Sequence, residues 1–334
     1  MKVFVTGATG FVGHHVARAL AAQGADLRLL VRKSSNLKYL EGIGGETHVG
    51  DLAKPETIRP ALAGCDAVMH VAADYRLWIP DPEAMYRANV DGTRALLTMA
   101  REAGVRRVVY TSSVATMGFR SDGLIVNEDT PVSLAMMVGH YKRSKFLAEL
   151  EAIKAAEAGQ EVMILNPTTP IGSHATKPTP TGRILVDFLN KNFPAYVDTG
   201  LNLVDVRDVA IGLILAMEKG RIGQRYLLGG DSMPLRQVLA LMAAATGRRK
   251  VAIPLPGGLA ELAAWMIELN ADYVTRRTPS ATVEGVRIAL AATALSTEKA
   301  RRELGYSPRL VLPVLQETIS DMIGTPVSTI LKHA

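Results

Sequence analysis

"VTGATGFVG", residues 5–13, sets glycines at 7, 10 and 13, directly after an apolar, β-branched start and before a helix-like stretch. A strand, a TGxxGxxG turn and a helix, in that order, are the context in which such glycines hold a pyrophosphate. Gly7 permits the tight turn, Gly10 lets the backbone approach the phosphates, and Gly13 lets the helix pack close to the strand. The helix start, from Thr9 through Phe11 and Val12, then offers unpaired N–H groups to negative charge. A plain strand-to-helix turn is the alternative, and the rest of the chain decides between them.

Outward from this loop, strand-like and helix-like segments alternate. Strands are expected at Lys2–Thr6, Asp26–Arg32, Glu46–Gly50, Ala67–Ala72, Arg107–Ser113 and Glu161–Asn166. Helices are expected at Gly13–Gln23, Pro82–Ala103 and His140–Ala158. Short strands of mostly buried composition between helices predict a doubly wound parallel α/β sheet. After Asn166 the run "NPTTPIGSHATKPTPTGR" reads as one long binding loop. The stretches "NLVDVRDVAIGLILAMEKG" and "QRYLLGG" are expected to return to the sheet, with a smaller, mainly helical lobe from Ser232 on. Within that lobe "LAELAAWMIEL", residues 259–269, reads as a packing helix, with a hydrophobic lid for a lipid-like substrate as the alternative.

Bulk composition sets limits. The chain has 334 residues, enough for one large domain or two modest ones, and 48% hydrophobic content, enough for a sizeable core. A single cysteine, Cys65, excludes an internal disulfide and a thiolate zinc site, and suits a reducing cytoplasm. The 7 histidines are scattered, and no metal is expected. A net charge of +6 suits an anionic cofactor or substrate, while 5% aromatic content and the lack of a basic stripe argue against nucleic acid. Neither a signal peptide nor an apolar run of about 18–20 residues stands out, so a cytoplasmic protein without a membrane span is expected.

The end of the second strand bears on which dinucleotide binds. An acidic residue there holds the ribose 2′-OH of NAD. The sequence has instead Arg32 and Lys33, followed by Ser34 and Ser35. A guanidinium fork binds a 2′-phosphate that a carboxylate would repel, so NADP is favoured over NAD. Asp51 of "GDL", with Leu52, ends the third strand, where its carboxylate can accept from adenine. Val71, Ala72 and Ala73 end the fourth, small enough for a close approach.

The chemistry is expected from "YTSS" and "YKRSK". Ser112 and Ser113 leave the C-terminal edge of the fifth strand, where ligands bind in such sheets. Tyr141 and Lys145 stand at i and i+4 on one helix face. A free phenol, near pKa 10, is too weak a base at neutral pH. A nearby cation and a positive nicotinamide would lower it.

Together TGATGFVG, GDL, HVAA, NVDGT, YTSS, YKRSK and NPTTPIG resemble the extended short-chain dehydrogenase/reductase family, with its Rossmann doubly wound sheet. The phrases HVAADYRLW, GHYKRSKFLAE, KPTPTGRI and AYVDTGLNLVDV are similar to the hopanoid-associated sugar epimerase subfamily, itself similar to dihydroflavonol reductases. The resemblance implies Tyr141 as proton donor and acceptor, Lys145 on the nicotinamide ribose and Ser113 on the reacting oxygen. It implies that Asn89, Pro167 and Thr168 help place the cofactor. It also implies a homodimer paired through the helices of 83–103 and 140–158.

Both a reductase and an epimerase use this hydride step, and a non-catalytic dinucleotide sensor is the remaining alternative. Arg32 favours net reduction with NADPH. So does Met117 in "SVATMG", where many sugar epimerases carry tyrosine. A small-molecule substrate is expected among Asp74, Tyr75, Arg76 and Trp78, with Met117, Met136 and Met137. His174, Lys177 and Arg183 of the long loop are candidates for an anionic group. The division expected is 1–172 with 201–230 for the cofactor, and 173–200 with 231–334 for the substrate.

Overall fold

The computed structural model describes residues 1–118, 125–173, 180–190, 195–247, 253–291 and 294–324. Its strands are β1 (Lys2–Thr6), β2 (Asp26–Val31), β3 (Glu46–Val49), β4 (Ala67–His70), β5 (Arg107–Thr111), β6 (Glu161–Pro167), β7 (Thr169–Ile171), β8 (Ala195–Tyr196), β9 (Gly200–Asp205), β10 (Arg225–Leu228), β11 (Asp231–Pro234) and β12 (Ile253–Pro254). Its helices are α1 (Phe11–Ala22), α2 (Arg59–Leu62), α3 (Pro82–Tyr86), α4 (Gly92–Glu102), α5 (Gly139–Glu157), α6 (Pro180–Leu189), α7 (Val206–Lys219), α8 (Leu235–Thr246), α9 (Gly257–Asn270), α10 (Val283–Leu290), α11 (Glu298–Leu304) and α12 (Val311–Ile323).

Seven parallel strands form one sheet in the order β10-β6-β5-β4-β1-β2-β3. Side chains alternate between its faces. Val3 and Val5 join Leu27, Leu29 and Met69 against α1 and α7. Phe4 joins Leu30, Val68 and Tyr110 against α4 and α5. Burial on both faces is why the central strands read as apolar, while β3 at the edge is largely exposed. Chain order reverses between β1 and β4, and ligands enter such sheets at the carboxyl ends beside that point. Thr6, His70, Thr111 and Pro167 end the strands there.

Two expectations change. The run after Asn166 is not one loop: β6 extends to Pro167, β7 follows, and α6 begins at Pro180. Of the returning segments only β10 joins the large sheet. β9 instead pairs with β7 and, antiparallel, with β11. This small sheet packs with α8 and α12 around Leu203, Met233, Leu239, Val314 and Leu315. Which sheet accepts a short apolar strand depends on partners far along the chain, and local pattern does not carry that.

Candidate active site

The opening glycines are fixed by space as well as by conformation. Gly7 has φ +78°, and a Cβ on it would lie 2.8 Å from the Ala72 nitrogen. On Gly13 a Cβ would lie 2.1 Å from the Gly7 carbonyl oxygen, and on Gly10 3.2 Å from it. The turn closes through the Gly10 N–H to the Gly7 carbonyl at 2.8 Å. No side chain caps α1 and no acidic residue occupies its first turn. The N–H groups of Phe11, Val12 and Gly13, which a helix leaves unpaired, line the cradle, while the Phe11 and Val12 side chains pack inward. A pyrophosphate fits this positive, side-chain-free end.

Beneath the loop lies a buried polar tie. The Thr6 hydroxyl accepts the N–H groups of Val71 and Ala72 at 3.1 and 3.0 Å. With both lone pairs used, it donates to His70 Nδ1 at 2.9 Å, so His70 carries its proton on Nε2 and donates to Thr93 Oγ1. Burial, with Lys145 second, pushes the His70 pKa down to about 3, which keeps the ring neutral. The tie fixes the β4 end at Val71–Ala72, against which Gly7 turns. Ala73 continues from it, partly exposed.

Around the adenosine end, Arg32 and Lys33 are exposed past β2, and neither side chain has a partner among the described residues. The Ser35 hydroxyl accepts the Arg32 N–H and shapes that turn. Asp51 is partly exposed and uses Oδ1 to accept from the Ala53 N–H, while Leu52 is buried.

At the β5 end the two serines diverge. Ser113 faces the site, and the Tyr141 hydroxyl donates to its Oγ at 3.2 Å. Ser112, expected beside it, is buried and donates to Glu149 at 2.5 Å instead. Its alternation across the strand sends it to the opposite side. Burial pushes the Tyr141 phenol above its usual pKa, and the Ser113 hydroxyl opposes this. The expected lowering by Lys145 is not found. The Lys145 Nζ points under the site, donating to the Tyr110 hydroxyl at 3.0 Å and the Thr111 carbonyl at 2.8 Å. Burial brings Lys145 down to about 7, against the pull of Glu149.

Glu149 and Glu284 went unnoticed in the sequence. Glu149 Oε2 accepts from Ser112, from Thr116 at 2.7 Å and from Asn166 at 2.8 Å, and Oε1 faces Arg225 at 3.3 Å. Its signal was available, since it follows Lys145 by four residues on the same helical face. Glu284 comes from α10 and accepts the N–H of Lys142 at 3.2 Å, beside Tyr141, packed where Gly139 has no side chain. Nothing local links positions so distant. Burial raises Glu284 to about 7, so its carboxyl keeps a proton in the folded state that the unfolded chain loses near the usual carboxylate pKa. Its contribution to stability is present below that lower pKa and is lost as pH rises through about 7. Glu284→Gln is expected to flatten this part of a Tm-against-pH curve, and an unchanged slope would refute the assignment.

The remaining candidates divide. Asn89 lies in a π-helical turn, Arg87–Asp91, between α3 and α4. Its amide is used within the protein, binding the Asp74 backbone at 2.7 and 2.8 Å and Ser144 at 3.0 Å, so it shapes the site from behind. Pro167 ends β6, and the Thr168 hydroxyl turns to the Leu228 carbonyl. Asp74 pairs with Arg76, and Tyr75 is exposed nearby. Trp78 donates its indole N–H to Asp272 at 2.8 Å, clasping the segment after α9. Met136 is partly exposed and Met137 buried. Two expectations fail. Met117 is buried with Val126 and Leu227 as core, because its side chain turns under the β5 end. Arg183 lies on α6, paired one helical turn on with Asp187 at 3.1 Å, not in a loop. His174 and Lys177 lie outside the described residues.

Residues 3–229 match the NAD dependent epimerase/dehydratase family. A Synechocystis protein bearing the provisional name dihydroflavonol 4-reductase is 42% identical over 320 residues, covering 95% of this chain and 93% of that protein. Sterol demethylase protein B of Methylococcus capsulatus is 35% identical over 309 residues, covering 92% and 94%. The crystal structure of gox2253 superimposes with a TM-score of 0.85 at 43% identity, covering 96% and 98%. With the glycine cradle and the Ser113–Tyr141 pair in place, the chain belongs to the NAD-dependent epimerase/dehydratase family of extended short-chain dehydrogenases/reductases and is an NAD(P)-dependent enzyme of the oxidoreductase/epimerase type.

Proposed function

We propose that this enzyme is an NADP-preferring reductase that interconverts a ketone and a secondary alcohol, of the dihydroflavonol-reductase kind. The observation that carries the reading is the Tyr141 hydroxyl, bonded to Ser113 Oγ at the mouth of β5. A phenol pushed above its usual pKa by burial is a proton donor at neutral pH, the form a carbonyl reduction needs. Bound across the glycine cradle, a nicotinamide dinucleotide supplies the hydride. Ser113 holds the substrate oxygen, and Tyr141 gives it a proton as charge develops there. Lys145, one helical turn on, is assigned to the ribose hydroxyls, a role that requires its Nζ to leave the Tyr110 hydroxyl and the Thr111 carbonyl it now binds. The segment Asp74–Trp78 is assigned to the substrate side, and residues 173–200 with 231–334 to the substrate lobe, apart from α11, whose Ala300 and Leu304 join the large-sheet core. Names among the relatives, a dihydroflavonol 4-reductase and a sterol demethylase component, support a bulky, largely apolar substrate.

The preference for NADP rests on Arg32, exposed and without a side-chain partner among the described residues, where an NAD site carries a carboxylate. Arg32→Asp is expected to weaken NADPH binding by roughly 10- to 100-fold, from loss of a charged hydrogen-bonded contact, while NADH binding holds or improves. Equal affinity of the parent enzyme for the two cofactors would refute this. Net reduction is separable from epimerisation by stoichiometry. Incubation with ketones should consume one NADPH per alcohol formed, whereas isomerised nucleotide sugars with NADPH intact would establish epimerisation instead.

A further inference from the structure

Helix α9 presents its apolar stripe to solvent. Ala260 and Ala264, with Ala271 just beyond the helix, form the buried side. At about 100° per residue, Leu259, Leu262, Trp265, Met266 and Leu269 fall on the opposite side. Their exposures run from 38% at Leu269 to 58% at Leu259, with Trp265 at 51%. A packing helix would turn such a stripe inward. The acidic groups of this region are turned toward the protein. Glu261 binds Arg287, Glu268 accepts the Val283 N–H, and Asp272 holds Trp78. Past the helix, Tyr273 and Val274 are 77% and 75% exposed. Arg276 and Arg277 follow, neither paired with a carboxylate among the described residues. Arg277, Thr275, Thr278, Asn270 and Met266 border a cavity of about 310 Å³.

We propose that this face, the outer stripe of α9 with Tyr273, Val274, Arg276 and Arg277, docks on the surface of an anionic lipid bilayer. A helix held by the protein along one side and apolar along the other lies in the plane of the interface, its outer stripe entering the acyl boundary. Trp and Tyr favour that depth, and a guanidinium fork matches a phosphate headgroup. Charge separates this occupant from a second copy of the chain. A twofold contact through the same face would bring Arg276 and Arg277 toward their own copies, with the nearby carboxylates already used inside each chain. A bilayer of negative headgroups supplies the missing counter-charge. The inference stands whatever the substrate.

Flotation of the purified enzyme with vesicles tests it. The protein should float with phosphatidylcholine–phosphatidylglycerol vesicles at low salt and much less with phosphatidylcholine alone. Leu262→Glu with Met266→Glu, and separately Arg276→Glu with Arg277→Glu, should each weaken binding by roughly tenfold or more, with thermal unfolding confirming that the variants fold. Emission should shift to the blue on binding, and the Trp265→Phe variant should lose the shift. A parent enzyme that stays in the buffer, or variants that float as it does, would overturn the proposal. So would a dimer that the Leu262→Glu, Met266→Glu variant converts to monomer, which would make the face a self-interface.

Discussion

Tyr141→Phe is expected to lower kcat by roughly a hundred- to ten-thousand-fold, the usual share of a positioned proton donor. The substitution keeps the ring and removes only the oxygen that donates to Ser113 at 3.2 Å. Loss of one hydrogen bond costs about 1 kcal/mol, so the folded protein should survive with a slightly lower Tm. The glycine cradle is untouched, and cofactor affinity measured by fluorescence titration should match the parent. That combination separates a proton donor from a structural tyrosine, whose removal would lower stability and turnover together. Turnover at the parent level would sink the mechanism. Ser113→Ala gives a companion result, since it removes the partner that opposes the rise in the phenol's pKa. Its turnover should fall too, though the proton donor remains.

The first six strands and the loop between β1 and α1 could be read from sequence because their cause is local. In β1, β4, β5 and β6 apolarity follows from burial on both faces, whereas β3, ETHV at the sheet edge, is largely exposed and shows only in the alternation. Glycine at 7 and 13 follows from backbone atoms a Cβ would strike. The Ser113–Tyr141 contact was legible for a related reason. Strand ends in a doubly wound sheet converge, and a helix packed beside β5 brings its first turn to that edge. Directions of individual side chains were less legible. Ser112 and Ser113 are equivalent as letters, yet one donates to buried Glu149 and the other meets Tyr141. Met117 looked like a pocket residue from its neighbours in sequence, but Val126 and Leu227 enclose it from segments far along the chain. Residues 259–269 have a helix's apolar content. Which side faces in is decided by the close approach that Ala260 and Ala264 permit.

Glu149→Ala is expected to destabilise the fold by about 3–5 kcal/mol, the cost of breaking a buried charged pair from one side. Three donors, from Ser112, Thr116 and Asn166, converge on one carboxylate oxygen. The other oxygen faces Arg225, which is largely buried and is held as well by the Glu128 carbonyl. Alanine strips all four partners at once and leaves a guanidinium with no counter-charge at that end. The denaturant midpoint should fall accordingly at unchanged m-value. Glu149→Gln keeps an acceptor but also brings an NH₂ group among donors, so an intermediate loss is expected. The same residue connects stability to chemistry. Asn166, gripped by Glu149 through one amide hydrogen, donates the other to the Ser113 carbonyl and so fixes the turn that carries its hydroxyl. Residual folded Glu149→Gln should therefore show a lower kcat with cofactor affinity preserved, because the cradle lies on the far side of β4. A glutamine variant as stable and as active as the parent would show that the carboxylate does not hold this turn.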